Sequence, residues 1–581
     1  MKRSSSRGIA TLFVVALLSS VFMARLVDIQ IIRAKELGRD SYLQRSKTHV
    51  IPGVRGNIVD AYNRTLAESL TQYRLVLSPS RVSDYWANGK KVIPSAAYQK
   101  ISDVVPITPA EISDKVTNAL RKNKNSQYLV IFDAIGVDKK GILEKENIPW
   151  LYFERVYKRI YPFGGVAGNL LGFLNIDQVP QAGLELSYDN CLSGHDGKED
   201  YLASPDGVPI PGSNRVVQPA KHGGQLALTI DSDLQWYTQQ ILKQYSELES
   251  ARWGMVAIVS VKTGKVLALA DYPTVDPNNV GDTDAINRGA RTFSDPYEPG
   301  SIFKPVTASI LLDAGGLTPS SRFRVPYNFR APGDVDISDD ERHADMDMTL
   351  TGILVASSNS GMSIASRSVD LAERYRYLRN FGFGASTGLR FPAQSEGLLG
   401  NYKLWDQQTR YASSFGQGIS ATILQLASAY QTIANGGVRR PLSMVTSCGD
   451  KPTESKKGTS GVFGRVVSQK SASATSNMLE MVYRHSWLHN LWRIPGYRIC
   501  AKTGTAQVAA GNGKYGKSYI VSVAGYAPAE DPEFVVITSM YKTKQNTAAA
   551  VAPVFQKVMS HVLKKYRVLP STTLPTELAL R

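Results

Sequence analysis

The sequence predicts a multidomain fold: a transmembrane helix, an α+β segment, and a larger α/β domain whose sheet is flanked by helices. Three observations predict it. Residues 8–24 form an uncharged run of 17 near the N-terminus. Two β-rich runs, 255–261 and 266–270, flank a Lys-Thr-Gly-Lys turn and read as a hairpin. Further β-rich runs return only after residue 498, ahead of an amphipathic helix. That order describes a sheet whose first and last strands come from distant parts of the chain.

The N-terminal run follows Lys2, Arg3 and Arg7. At 1.5 Å per residue it spans ~26 Å as a helix, near the lower limit for ~30 Å of hydrocarbon. Arg25 snorkels, and Leu26, Val27, Ile29, Ile31 and Ile32 extend the apolar face past Asp28 and Gln30. Basic residues ahead of the span put the N-terminus in the cytoplasm and everything after Arg33 outside. Phe22 and Ala24 make no small-x-small cleavage site, so residues 1–33 read as a retained single-pass anchor in the cell membrane. DNA and ATP are absent on the far side. The net charge of +17 therefore fits a membrane surface and anionic wall polymers, and no nucleic-acid partner is expected. Apolar residues at 43% and charged residues at 20% exclude a wholly disordered or fibrous chain. Three cysteines are too few for a disulfide scaffold, no Cys/His spacing suggests a metal, and covalent ties are expected to play no part.

Residues 34–220 alternate irregularly, with β-like runs at 73–77 and 128–132, and read as a non-catalytic α+β pedestal. A strand at 226–229 leads to Asp231, an N-cap for a helix from 234 to about 248, which opens the large domain, 221–568. Helical stretches dominate 301–436. Strands follow at 498–509, 518–524 and 534–540, then a helix over 548–566. The Pro/Thr-rich residues 569–581 are expected to be a disordered tail.

Chemistry first appears at Glu298-Pro299-Gly300-Ser301-Ile302-Phe303-Lys304. Positions i and i+3 share a helix face, so Lys304 can reach the Ser301 hydroxyl. A lysine kept neutral by burial can take the serine proton, and first-turn N–H groups can stabilise the negative charge that develops. SxxK alone is common. Here Ser357-Ser358-Asn359 follows 56 residues later, and Lys502-Thr503-Gly504-Thr505 follows 145 after that, on a β-rich run. The order SxxK, SxN, KTG is that of β-lactamases and penicillin-binding proteins.

With these motifs the chain resembles the class B penicillin-binding proteins, membrane-anchored transpeptidases of peptidoglycan. Arg55 to Asp60 (RGNIVD), Tyr161-Pro162, Gly183-Leu184-Glu185, the stretch 194–197, and 416–420 through 434–437 are similar to further elements of that family. The resemblance implies a penicillin-binding/β-lactamase-like domain with a mainly antiparallel sheet. It implies Ser301 as acylated nucleophile, Lys304 as its base, Ser357 as proton relay, and Asn359 as positioner of Lys304 and the donor peptide. Lys502, with Thr503, Gly504 and Thr505, would meet the substrate carboxylate, and the backbone N–H groups of Ser301 and Thr505 would form the oxyanion hole. Expected partners are stem peptides ending in D-Ala-D-Ala, β-lactams as inhibitors, a membrane glycan polymerase and other cell-division proteins. No cofactor or glycosyltransferase domain is expected. The stretch 188–197 and the acidic segment 334–347 look more like the septal type than the elongation type. A β-lactamase or β-lactam sensor of the same fold is the alternative.

Three other features read as incidental. Residues 511–518 fit the Walker A pattern but precede a β-branched run rather than a helix. His485 and His489 have zinc-helix spacing but read as two histidines on a helix face, since Ser486 stands where a metalloprotease has glutamate. Cys500 reads as a buried inert thiol, and a Cys448–Cys500 disulfide is weighed and disfavoured.

Overall fold

The structure, a computed structural model, describes residues 4–87, 89–203, 210, 212–452, 463–509 and 515–581. Compactness divides the chain into two units, Met1–Arg55 with Ser193–Gly223, and Gly56–Leu192 with Gly224–Arg581. Most of the pedestal, Gly56–Leu192, falls in the same compact unit as the large domain.

In the first unit, helix Ser4–Val27 lies within a 26-residue segment, Arg7–Ile32, long and apolar enough to cross a membrane. Asp28 at its end is neutralised by Arg25 at 2.8 Å and Arg33 at 2.9 Å. Strands Ser46–Ile51, Gly197–Leu202 and Arg215–Gln218 form an antiparallel sheet in the order written. Gly53 and Gly194 approach backbone to backbone, and a Cβ on Gly53 would lie 2.5 Å from the His195 nitrogen.

In the second unit, the long strand Thr65–Leu77 pairs antiparallel with Leu151–Ile160 and Leu129–Ile135. The sheet continues through Ile58–Val59 and Leu226–Leu228 to Val445–Cys448 and Lys451–Pro452, so pedestal strands and strands of the large domain share one ladder. A disulfide joins Cys191 to Cys448, with Cα atoms 6.1 Å apart across 257 residues of sequence. The expectation that no covalent tie contributes is corrected here. No local signal pairs cysteines so distant: Cys191 lies in the short helix Asp189–Leu192, its carbonyl accepting the Gly224 N–H at 2.8 Å, and Cys448 ends the strand that pairs with Leu226–Leu228. Cys500 is free and buried, its thiol donates to the Ser476 carbonyl at 3.2 Å, and burial pushes its pKa up.

Two buried carboxylates explain family-like elements of the pedestal. Asp60 accepts the Tyr62 and Arg64 N–H groups at 2.8 and 2.9 Å, Arg64 Nε at 2.9 Å and the Ser232 hydroxyl at 2.7 Å. Burial works to raise its pKa, but these bonds, led by Ser232, hold it below the usual carboxylate range. Glu185 accepts Arg159 Nε at 2.8 Å, and Arg159 Nη1 donates to the Gly56 carbonyl at 2.8 Å. Both side chains are at most 2% exposed.

The core of the large domain is a five-stranded antiparallel sheet: β1 (Trp253–Ser260), β2 (Val266–Tyr272), β3 (Cys500–Ala509), β4 (Tyr515–Ala527) and β5 (Phe534–Tyr541), ordered β2-β1-β5-β4-β3. Met255, Ala257 and Val259 face one apolar cluster, while Val256 and Ile258 face the other. Both faces are covered, which is why these strands read as continuous apolar runs. Helices Ser232–Leu248, capped by Asp231 as expected, and Ala552–Lys565 cover one face. The opposite face holds α1 (Lys304–Ala314) and helix Ile423–Ala434, all twelve residues of which are buried.

Elsewhere the structure departs from the sequence reading. Residues 322–349 form two short ribbons rather than helices, Arg322–Val325 with Met346–Thr349 and Asn328–Ala331 with Val335–Ser338, the second turning at Gly333 and Asp334 with positive φ. Helix Gln469–His485 ends at Ser486 and His489 begins a new turn, so the two histidines share no helix face. Residues 511–514 of the Walker-like stretch lie outside the described residues. The strands on either side, β3 and β4, pair antiparallel, as the sequence suggests.

The ending, expected to be disordered, is tied down. The Ser571 N–H donates to the Gly496 carbonyl, Glu577 pairs with Arg484 at 2.6 Å, and Leu578 packs on the core. The Ala579 and Leu580 carbonyls accept from the Thr349 hydroxyl and N–H, at 2.6 and 3.1 Å. Thr349 is the N-cap of α2 (Leu350–Val355), so the tail supplies acceptors at a helix start that composition alone does not reveal. A Cβ on Gly352 would lie 1.9 Å from the Leu580 oxygen.

Candidate active site

Ser301 sits on a single 3-10 turn, Gly300–Phe303, that runs directly into α1. Gly300 has φ +57°, and its N–H donates to the Gly416 carbonyl at 3.0 Å. The Tyr430 hydroxyl donates to the Ile302 carbonyl at 2.7 Å, and Thr307 Oγ1 donates to the Ser414 carbonyl at 2.7 Å. The glycine-rich stretch after residue 413 therefore braces the Ser301 turn from behind. Gly416 has φ +86°, and a Cβ there would lie 2.4 Å from the Gly300 oxygen. Gly416→Ala is accordingly expected to cost about 1–3 kcal/mol and to slow acylation at Ser301, because the turn must move to admit the methyl. Thermal melting and labelling with fluorescent penicillin check this; an unchanged labelling rate would refute the brace.

In front, β3 passes close enough that a Cβ on Gly504 would lie 3.1 Å from the Ile302 nitrogen and 3.2 Å from the Pro299 oxygen. Strand alternation puts Lys502, Gly504 and Ala506 on the face toward the turn, all buried, and Thr503 and Thr505 on the other, with Thr505 exposed. Lys502 Nζ donates to the Ser357 hydroxyl at 2.9 Å and to the Thr503 carbonyl at 3.0 Å. The Thr503 and Thr505 hydroxyls make no hydrogen bond to Lys502 among the described residues.

Lys304 is fully buried, and its Nζ donates to the Ser357 carbonyl and, at 3.3 Å, to the Ser357 hydroxyl. The structure thus brings Lys304, Ser357 and Lys502 onto one hydroxyl. The Ser301 hydroxyl has no hydrogen-bond partner among the described residues, so Lys304 is turned toward Ser357 and not toward the serine one turn away. Such contacts often tighten only once substrate is bound. Burial lowers the Lys304 pKa to about 8 against the pull of Asp340 and Asp339. Burial and then the Lys304 charge push Lys502 well below the ordinary lysine range. Two amines facing one hydroxyl favour a state in which one of them is neutral.

Ser357 has φ +57°, a left-handed conformation costly for a residue with a Cβ. The adjacent Ser358 serves as the N-cap of α3 (Asn359–Ala365), accepting the Gly361 N–H at 2.8 Å. Asn359 Nδ2 donates to the Ser338 carbonyl at 3.2 Å instead of reaching Lys304. Sequence reasoning assigned no bracing role to Ser414, Gly416 or Tyr430: the first two act through their carbonyls, and Tyr430 acts through a hydroxyl placed 128 positions from its partner Ile302. No cluster of three or more His, Cys, Asp and Glu side chains able to hold a metal occurs among the described residues.

A family model described as the penicillin binding protein transpeptidase domain matches residues 254–560. The chain belongs to the penicillin-binding protein family. A second model, the penicillin-binding protein dimerisation domain, matches residues 50–228. The penicillin-binding protein PbpB of Mycobacterium tuberculosis is 32% identical, over 96% of this chain and 84% of its own. The peptidoglycan D,D-transpeptidase FtsI of Escherichia coli is 30% identical, over 94% of this chain and 90% of its own. Among solved structures, a peptidoglycan synthetase of Bifidobacterium adolescentis superimposes with TM-score 0.71 at 29% identity, covering 91% of this penicillin-binding protein and 98% of its own chain. Penicillin binding protein 3 of M. tuberculosis in complex with aztreonam gives 0.68 at 28%, covering 91% and 100%.

Proposed function

We propose that this chain is a serine D,D-transpeptidase that cross-links peptidoglycan stem peptides in septal wall synthesis. The observation that carries the reading is the single Ser357 hydroxyl shared by Lys304 and Lys502 beside the Ser301 turn. Lys304, as neutral amine, takes the Ser301 proton while Oγ attacks the penultimate D-Ala carbonyl. The oxyanion forms against the N–H groups of Ser301 and Thr505, a contribution of about 3–4 kcal/mol per donor. Collapse breaks the C–N bond, and the departing D-Ala nitrogen takes a proton relayed through Ser357. An amine of a second stem peptide then attacks the ester, loses its proton along the same path, and frees Ser301. The terminal carboxylate of the substrate, once bound, favours the ammonium form of Lys502 and pairs with it. Asn359 positions the donor peptide. A β-lactam would enter the first half and stop there.

The apolar N-terminal helix supports a membrane anchor with its basic end in the cytoplasm and the catalytic domain outside. Glycan strands would come from a membrane polymerase among the cell-division proteins. The FtsI relatives favour this septal reading over the elongation and β-lactamase alternatives. The test is mass spectrometry of the penicillin-treated protein. An adduct on the peptide carrying Ser301 is expected; an adduct elsewhere, or rapid turnover of the antibiotic, would overturn the reading.

A further inference from the structure

Twenty residues before Asn359, a buried carboxylate grips the loop that carries Ser357. The Asp339 side chain is 8% exposed. Its Oδ1 accepts the N–H groups of Asn359 at 2.5 Å and Ser360 at 2.9 Å. Its Oδ2 accepts the Ser358 hydroxyl at 2.6 Å and faces His343 Nε2 at 3.0 Å. Four donors on two oxygens nearly fill the capacity of a carboxylate. All but one come from the three residues directly after Ser357, whose left-handed backbone must be held by its surroundings.

His343 is placed with equal economy. Its Nδ1 lies 2.8 Å from the Ala344 carbonyl oxygen and its Nε2 against Asp339. Both neighbours are acceptors, so only the imidazolium, with N–H on both nitrogens, satisfies both at once. The Ala344 carbonyl and then Asp339 raise its pKa, with Asp345 adding to them. The Tyr327 ring packs edge-on at 6.1 Å, and the Arg342 guanidinium lies over that ring at 5.8 Å.

We propose that Asp339 and His343 form an imidazolium–carboxylate clamp that positions Ser357 and Asn359 for the acyl-transfer reaction. Neither residue touches the substrate, and both act through the loop. The proposal rests on the active-site reading above.

The test measures the rate of acylation by fluorescent penicillin from about pH 5.5 to 9.5 for the full-length protein, Asp339→Asn and His343→Gln, alongside melting temperatures. Asp339→Asn should be at least tenfold slower throughout. For His343→Gln the sign follows from the raised imidazole pKa: the clamp is complete at low pH and is lost as pH rises through that value. The wild-type advantage over His343→Gln should therefore be threefold or more at low pH and fade at high pH, whereas a merely structural loss would be independent of pH. A flat ratio, or wild-type rates in both variants, overturns the proposal. If Asp339→Asn does not fold, the ratio for His343→Gln decides alone. Failure of the wild type itself to be acylated would instead refute the active-site reading.

Discussion

Replacing Lys304 by methionine is expected to slow acylation of Ser301 about 1,000-fold, within the range that a lost general base costs. Methionine keeps the volume of a side chain buried in α1, so the fold should survive. The wild-type rate should rise with pH through about 8, as the Lys304 ammonium loses its proton and becomes the base. In the methionine variant that rise should disappear. The comparison separates a base from a space-filling residue, because a packing defect would lower the rate without flattening the profile. Stopped-flow labelling across pH reads both quantities. A variant that keeps the wild-type limb would move the base elsewhere, Lys502 being the nearest candidate.

The largest stability effect is expected far from the nucleophile, at Arg159. Its guanidinium is 2% exposed and its carboxylate partner Glu185 is fully buried. Arg159→Met removes one partner and leaves Glu185 as an uncompensated charge in the interior, which typically costs about 3–5 kcal/mol. The melting temperature should fall by several degrees. Replacing both residues, Arg159→Met with Glu185→Leu, should recover much of the loss, because the stranded charge is gone. A single variant that melts with the wild type would show the pair to be inert.

The nucleophile turn, the hairpin of β1 and β2, and the strand bearing Lys502 were legible because each is encoded by contiguous residues: a glycine before Ser301, apolar runs covered on both faces, a helix cap at Asp231. What escaped the sequence depends on residues brought together from afar. Cys191, on a short pedestal helix, meets Cys448 only where the chain folds back at Gly224 into the strand beside Cys448. The tail owes its place to donors on Thr349, 230 residues earlier. Asp339 stood in a segment noticed for its acidity, but nothing local marks an aspartate that will accept from backbone N–H groups twenty positions on. The resemblance singled out Ser357 of the two adjacent serines, and the geometry gives the physical difference: Ser357 faces two lysines and Ser358 caps a helix.

The shared ladder also determines how the molecule can be cut. A catalytic fragment begun at residue 221 would lose Ile58–Val59 and leave the strand Leu226–Leu228 with a bare edge, the kind of surface through which proteins stick to copies of themselves. It would also carry an orphaned thiol at Cys448 and strip the Ser232 hydroxyl of Asp60. A soluble enzyme for inhibitor screening should therefore begin upstream of Gly56, with the pedestal retained as part of the catalytic body.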